Sequence, residues 1–206
     1  LIELTINNKS KVVSPSKWSE ITAKQLIDIE LTDKKNVLEL FSILLGMELS
    51  IVESAKDKRL EEAVFACVAF IFAPPDWEKF KQPSHFNFKG KLYEVPTDFN
   101  KMMVGQKVLL SQVAADQESM VANMCKSVAI GMHPVIDDVK IYDAERVDEI
   151  EKELMEENGL EVYALSRFFF LHFGHLLRTG KSSLVTFHQH KVQRGKSYRN
   201  WLNLKD

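Results

Sequence analysis

The sequence predicts a mainly α fold with small β-hairpins, an α+β arrangement in which two hairpin-plus-helices repeats precede a C-terminal helical part and a basic arm. Three observations carry this expectation. Apolar residues recur at helical spacing through most of the chain, as in Val37, Leu40, Phe41, Leu44 and Leu45. Two short stretches alternate around polar turns instead, and each stops at a proline. Sliding the chain by 81 positions brings the two hairpins and their sequels into register without a gap.

Taken in order, LIELTI and KVV read as strands around Asn7-Asn8-Lys9-Ser10, and Pro15 ends the second. Leu1 stands where a start methionine would, which fits a trimmed chain or a nonstandard start codon translated literally. A helix starts near Thr22, whose hydroxyl can cap the free N–H groups that follow; Leu26, Ile27 and Ile29 face the core, and Thr32-Asp33 closes it. The next helix covers Asn36 to Leu45 and stops at Gly46, the residue that tolerates a left-handed cap. Ser50-Ile51-Val52-Glu53 has the form of a capping box. A further helix runs from Lys58 to Ala73 and ends at Pro74-Pro75. Its apolar run, Ala63 to Ala73, is eleven residues. A bilayer needs roughly 20, so this reads as a buried core helix.

The strands FNFK and KLYEV then flank Gly90, and Pro96 terminates them. Helices are expected over Val104 to Gln117 and Ser119 to Ile130, with Gly131 and Pro134 marking a break. Asp143 to Glu157 reads as an acidic helix with the inward stripe Val147, Ile150 and Leu154, ended by Asn158-Gly159. The last clear helix, Tyr163 to Leu177, carries Phe168-Phe169-Phe170.

The repeat sets Pro15 on Pro96, Trp18 on Phe99, Ile21 on Met102 and Gln25 on Gln106. In each copy an aromatic lands where a helix starts and can pack under its first turn like a hydrophobic staple. Lone hairpins are marginally stable, so the two are expected to pair as one small sheet. The organisation is thus residues 1–80 as the first repeat, 81–135 as the second, 136–180 as the acidic and triple-Phe helices, and 181–206 as a basic, aromatic arm.

Composition narrows the chemistry. At 206 residues, 45% apolar and 27% charged, the chain is long enough and ordinary enough to bury a core. A net charge of −2 argues against nonspecific nucleic-acid binding as the main role, which needs a broad cationic surface. The N-terminus lacks the basic head and apolar stretch of a signal peptide. Cys67 and Cys125 sit in apolar helical stretches and read as free buried thiols of a reducing compartment. His172 and His175 share a helix face, and His188 and His190 alternate on a possible strand, but no third ligand accompanies either pair. No metal, cofactor or catalytic residue is expected: there is no paired CxxC, GxSxG, HExxH or Gly-rich phosphate loop.

After Gly180 the chain turns basic, with Lys181, Lys191, Arg194, Lys196, Arg199 and Lys205, and is partly extended around Leu184 to Phe187. Phe187, Tyr198 and Trp201 are interleaved with these cations. Such a segment can stack on single-stranded nucleic acid or dock on a neighbouring protein, and the second reading is preferred because aromatic and arginine residues dominate interface energetics. The expected partner-binding residues are Phe187, Arg194, Tyr198, Arg199 and Trp201, with Glu149 and Glu153 on a neighbour's acidic helix as their complement.

The opening INNKSKVVSPSKWSEITAKQL and the block KIYDAERVDEIEKELMEENGLEVYALSRFFF resemble structural and assembly proteins of tailed bacteriophages of Bacteroidetes hosts, from the tail and neck genes, crAss-like phages included. The resemblance implies a noncatalytic virion structural protein, a subunit of a multimeric tail or neck ring, or alternatively a tail-assembly chaperone. It implies copies of the chain itself and other virion proteins as partners, with no small-molecule substrate and no membrane. The implied location is the host cytoplasm during assembly and then the virion. The histidine-rich basic arm lies outside that family pattern.

Overall fold

A computed structural model of the chain describes residues 2–6, 10–54, 58–77, 80–81, 83–115 and 120–179. Two antiparallel hairpins open its two halves: β1 (Ile2–Ile6) with β2 (Ser10–Ser14), and β3 (His85–Phe88) with β4 (Lys91–Glu94). Helices α1 (Ala23–Leu31), α2 (Val37–Leu45), α3 (Leu49–Glu53) and α4 (Lys58–Val68) follow the first hairpin. Helices α5 (Val104–Ala115) and α6 (Met124–Ile136) follow the second, and α7 (Ala144–Leu154) and α8 (Gly159–Thr179) come after them. The chain is mainly α with small hairpins.

The 81-residue register holds from the second strand of each hairpin to the first helix after it. Strands start at Ser10 and Lys91, 3-10 turns span Trp18–Glu20 and Phe99–Lys101, and helices start at Ala23 and Val104. The hairpins do not pair with each other: each is a separate two-stranded sheet. Helices supply the cover a lone hairpin needs. The first lies against α2 and α4, and β4 of the second reaches α6, with Phe86 and Phe88 buried beneath. Lys89 and Gly90 turn the second hairpin with φ of 51° and 75°, the paired positive values a two-residue type I′ loop requires.

Four other expectations are corrected. Ser50 does not open a capping box, because α3 starts at Leu49; its hydroxyl reaches back to Glu48 instead. Helix α6 is not broken at Gly131 or Pro134 but runs through both. Proline cannot donate to the carbonyl one turn earlier, and that carbonyl, Ile130 O, accepts from Gln106 Nε2 at 2.7 Å. Asn158-Gly159 begins α8 as well as following α7: Asn158 Oδ1 accepts from the N–H groups of Leu160 and Glu161. Finally, the apolar run of residues 63–73 is buried on one side only. Val64, Cys67, Val68 and Ile71 face inward, whereas Phe65 is 68% and Phe72 54% exposed, with Ala66 and Ala69 between them on the outside. α4 packs on α2 and β1 along one flank, and nothing among the described residues covers the other.

One cluster of buried hydrophobic residues runs through both repeats and the C-terminal helices. α8 runs through it, touching α1, α5 and α6. Gly131 lets Phe169 of α8 lie directly on the backbone of α6: a Cβ at that glycine would meet the ring at 2.3 Å. The start of α1 is fastened to the α7–α8 junction. Ala23 and Lys24 donate their N–H groups to Glu157 O and Met155 O, both at 2.9 Å, so first-turn donors of one helix meet carbonyls just past the end of another.

Candidate functional site

The acidic helix is where the sequence placed a binding face, and α7 is built accordingly. Asp143 caps it, its Oδ1 accepting from Glu145 N and Arg146 N. Val147, Ile150 and Leu154 turn inward, while Glu145, Asp148, Glu149 and Lys152 are exposed. Three cations of the same chain lie on it. Arg146 grips both oxygens of Asp137 at 3.0 and 3.2 Å and reaches Glu149 at 3.0 Å and Glu153 at 3.9 Å. The Asp137 bonds push the guanidinium pKa further up. Lys126 meets Asp148 and Glu151 at 3.2 Å. Lys89 meets Glu153 at 2.7 Å, and its backbone N–H donates to Glu157 Oε1 at 2.8 Å.

Glu149 is therefore exposed but held by Arg146, and Glu153 is half-buried under Lys89. Glu153 fastens the second hairpin to α7 through Lys89, and Arg146 fastens the end of α6 through Asp137. Phe187, Arg194, Tyr198, Arg199 and Trp201 lie outside the described residues.

The repeat residues are placed as follows. Trp18 is buried and donates its indole N–H to Phe70 O and Ala73 O at 2.9 and 3.1 Å, closing the end of the α4 segment; its ring meets Phe70 and Trp77 edge-on. Phe99, half-buried, turns to α8 and stacks on His172 at 3.7 Å among Phe168, Phe169 and Phe173. Gln25 and Gln106 do the same two things. Each accepts the backbone N–H three residues earlier, of Thr22 and Met103, at 2.9 and 3.1 Å. Each then donates Nε2 to a carbonyl of the following helix, Ile43 and Leu44 in one copy and Ile130 in the other. Thr22 completes a capping box with Gln25. Pro15 is buried directly after β2, and Pro96 is half-buried one residue further along after β4.

Both cysteines are buried, and burial, then Glu151, pushes the Cys125 thiol up to about 12. His133 is buried on α6 with Nε2 3.7 Å from Asp137 and its ring edge-on to Tyr142. Burial holds its pKa down, against Asp137 and Asp143. Among the described residues no group of three or more His, Cys, Asp or Glu is placed to hold a metal ion. The side chain of His175, and His188 and His190, lie outside them.

Two surface features were not read from the sequence. One is the outward stripe of α4 and the turn after it. The signal was present as Phe65 and Phe72, seven apart with alanines between, but the run is apolar all round and marks no outer side. The other is a groove of about 370 Å³ between the second hairpin and the start of α8, with Phe80, Phe86, Leu160 and Ala164 among its lining. It joins segments more than 60 residues apart in the chain, so no local pattern announces it.

Among the described residues no helix is long and apolar enough to cross a membrane. Comparison with protein-family models, curated proteins and solved structures finds no match to this chain.

Proposed function

We propose that the chain is a noncatalytic structural subunit of a multimer, a ring component of a phage tail or neck, that contacts copies of itself and other virion proteins. The observation that carries this reading is the outward stripe of Phe65, Ala66, Ala69 and Phe72. Two exposed phenylalanines with two exposed alanines between them give an apolar stripe of the kind interaction surfaces use, which supports this reading. The C-terminal segment adds a second connector, basic and aromatic, of the composition that interfaces favour. A head-to-tail contact between such connectors closes into a ring when its rotation permits.

Sedimentation of the full chain beside the Phe65→Ser/Phe72→Ser variant tests it. The parent should run as a multimer and the variant as a smaller species with unchanged far-UV circular dichroism; equal sizes refute the role of the stripe. Mass spectrometry of purified particles should find the chain at a fixed copy number. Absence from finished particles points instead to a tail-assembly chaperone.

A further inference from the structure

We propose that the groove between the second hairpin and the start of α8 receives the segment around Phe187 from a second copy of the chain. The inference rests on the multimer reading and names one of its contacts.

The groove is apolar in its depth and polar at its rim. Phe86 is fully buried, Phe80, Leu160 and Ala164 are half-buried, and His85, Asn87 and Glu161 stand at the edge. Leu92 at its mouth is 66% exposed, opposite Asn87 on the outer face of the hairpin. Its wall is fixed before anything binds: Arg167 Nη1 donates to Phe80 O at 3.3 Å, and the Phe80 ring lies against Trp77 and Tyr163. A preformed wall lowers the ordering cost of an occupant. About 370 Å³ is near the lower bound of small-molecule pockets and matches one or two side chains.

The occupant these features ask for is an extended segment with one large apolar side chain and basic neighbours. Exposed Glu161 lines the α8 side of the groove, and on the hairpin side exposed Glu94 is the cross-strand neighbour of the lining residue His85. Residues 184–194 of this chain read Leu-Val-Thr-Phe-His-Gln-His-Lys-Val-Gln-Arg: β-branched residues and a phenylalanine, then Lys191 and Arg194. β4 is the strand neighbour of β3 in a two-stranded sheet, so β3 can take an added strand along its other edge.

Reach decides whose segment it is. From Thr179 back to Ala164 and Leu160, the two ends of the groove's α8 wall, is 15 to 19 helical rises, about 22–29 Å. The eight residues from 180 to 187 span at most about 28 Å when fully extended. A chain that must also reverse direction and cross the width of α8 has little slack to seat its own Phe187 there, whereas a neighbour's has no such limit.

The test is cysteine cross-linking in the full chain, with Leu92→Cys and Phe187→Cys carried on two co-expressed, differently tagged copies. Oxidation should join the two tags, and a Leu38→Cys control, on the exposed side of α2, should not join to Phe187→Cys. Leu92→Asp should weaken association at least ten-fold with unchanged circular dichroism. If the chain is a multimer but the tags are never joined, the seat is wrong and the multimer stands. If a double-cysteine chain links only within itself, its own segment is the occupant and the proposal is overturned. If the chain is a monomer at every concentration, the multimer reading fails and this contact fails with it.

Discussion

Replacing Gly131 with alanine sets two known effects against each other. Gly131 lies inside α6 with an ordinary helical backbone, so an alanine there should gain roughly 1 kcal/mol of helix propensity. The same methyl group would sit 2.3, 2.5 and 2.8 Å from three atoms of the Phe169 ring, so that the ring must retreat by about 1 Å. That ring is buried, and Phe99 and Phe168 pack against it at 6.3 and 5.4 Å, so no open space receives it. Overpacking of this kind costs about 1–3 kcal/mol, and three simultaneous overlaps belong at the upper end. The net expectation is a loss of about 2 kcal/mol, a fall in Tm of about 4–8 °C for a chain of this size. Urea unfolding followed by circular dichroism measures the first quantity and a thermal scan the second. In a Phe169→Leu background the obstruction is gone, and Gly131→Ala should become neutral or stabilising, a coupling of about 3 kcal/mol. An unchanged or raised Tm in the single variant, or equal effects in both backgrounds, would refute the reasoning.

The repeated glutamines should differ in cost. Gln106→Ala leaves the buried Ile130 carbonyl without a donor and should lose about 2–3 kcal/mol, whereas the half-buried Gln25→Ala should lose about 1 kcal/mol, by urea unfolding. Lys89→Ala loses the Glu153 pair and keeps a positive φ, so it should destabilise by about 1 kcal/mol; Lys89→Gly relieves the backbone and should stay near neutral, which thermal scans at low and high salt can rank. His133 has its folded pKa held below the unfolded value of about 6.5, so the folded state binds the proton less readily. Its stabilising contribution is full above that unfolded value and is lost as pH falls through it toward the folded one. The parent should therefore lose more Tm between about pH 7 and 5 than His133→Gln; parallel curves would show that another group governs acid sensitivity.

Local order was legible where one residue type does one job. Thr22 and Gly46 stand at helix ends for reasons of capping chemistry that act within four residues, and each does what its type implies. The 81-residue register was legible because Pro, aromatic and Gln recur at fixed offsets. What failed depended on distant partners. Pro134 reads as a helix breaker until Gln106, 28 residues earlier, is seen donating to the carbonyl the proline leaves behind. Gly131 reads as a stop until Phe169 is placed over it. The acidic block reads as an open surface until Lys89, Lys126 and Arg146 are found on it.

The two repeats show how one local device serves different surroundings. In both copies the glutamine closes its own helix start and serves the next helix by offering Nε2 to a carbonyl that its own ladder leaves unserved: that of Leu44 at the end of α2 in the first, the proline-orphaned one of α6 in the second. The aromatic three residues into each turn region is less constrained, and its partners diverge. Trp18 carries an N–H and closes the α4 segment, while Phe99 carries none and packs into the rings of α8. That difference has a consequence for the surface. By tying down Phe70 O and Ala73 O from the inside, Trp18 holds the last turn of the α4 segment in place, and with it the outward Phe72. Trp18→Phe should keep much of the ring packing but release those carbonyls. Its expected signature is a loss of multimer that exceeds the loss of stability, read by sedimentation beside urea unfolding. A variant that loses both in proportion would show that the indole serves the core alone.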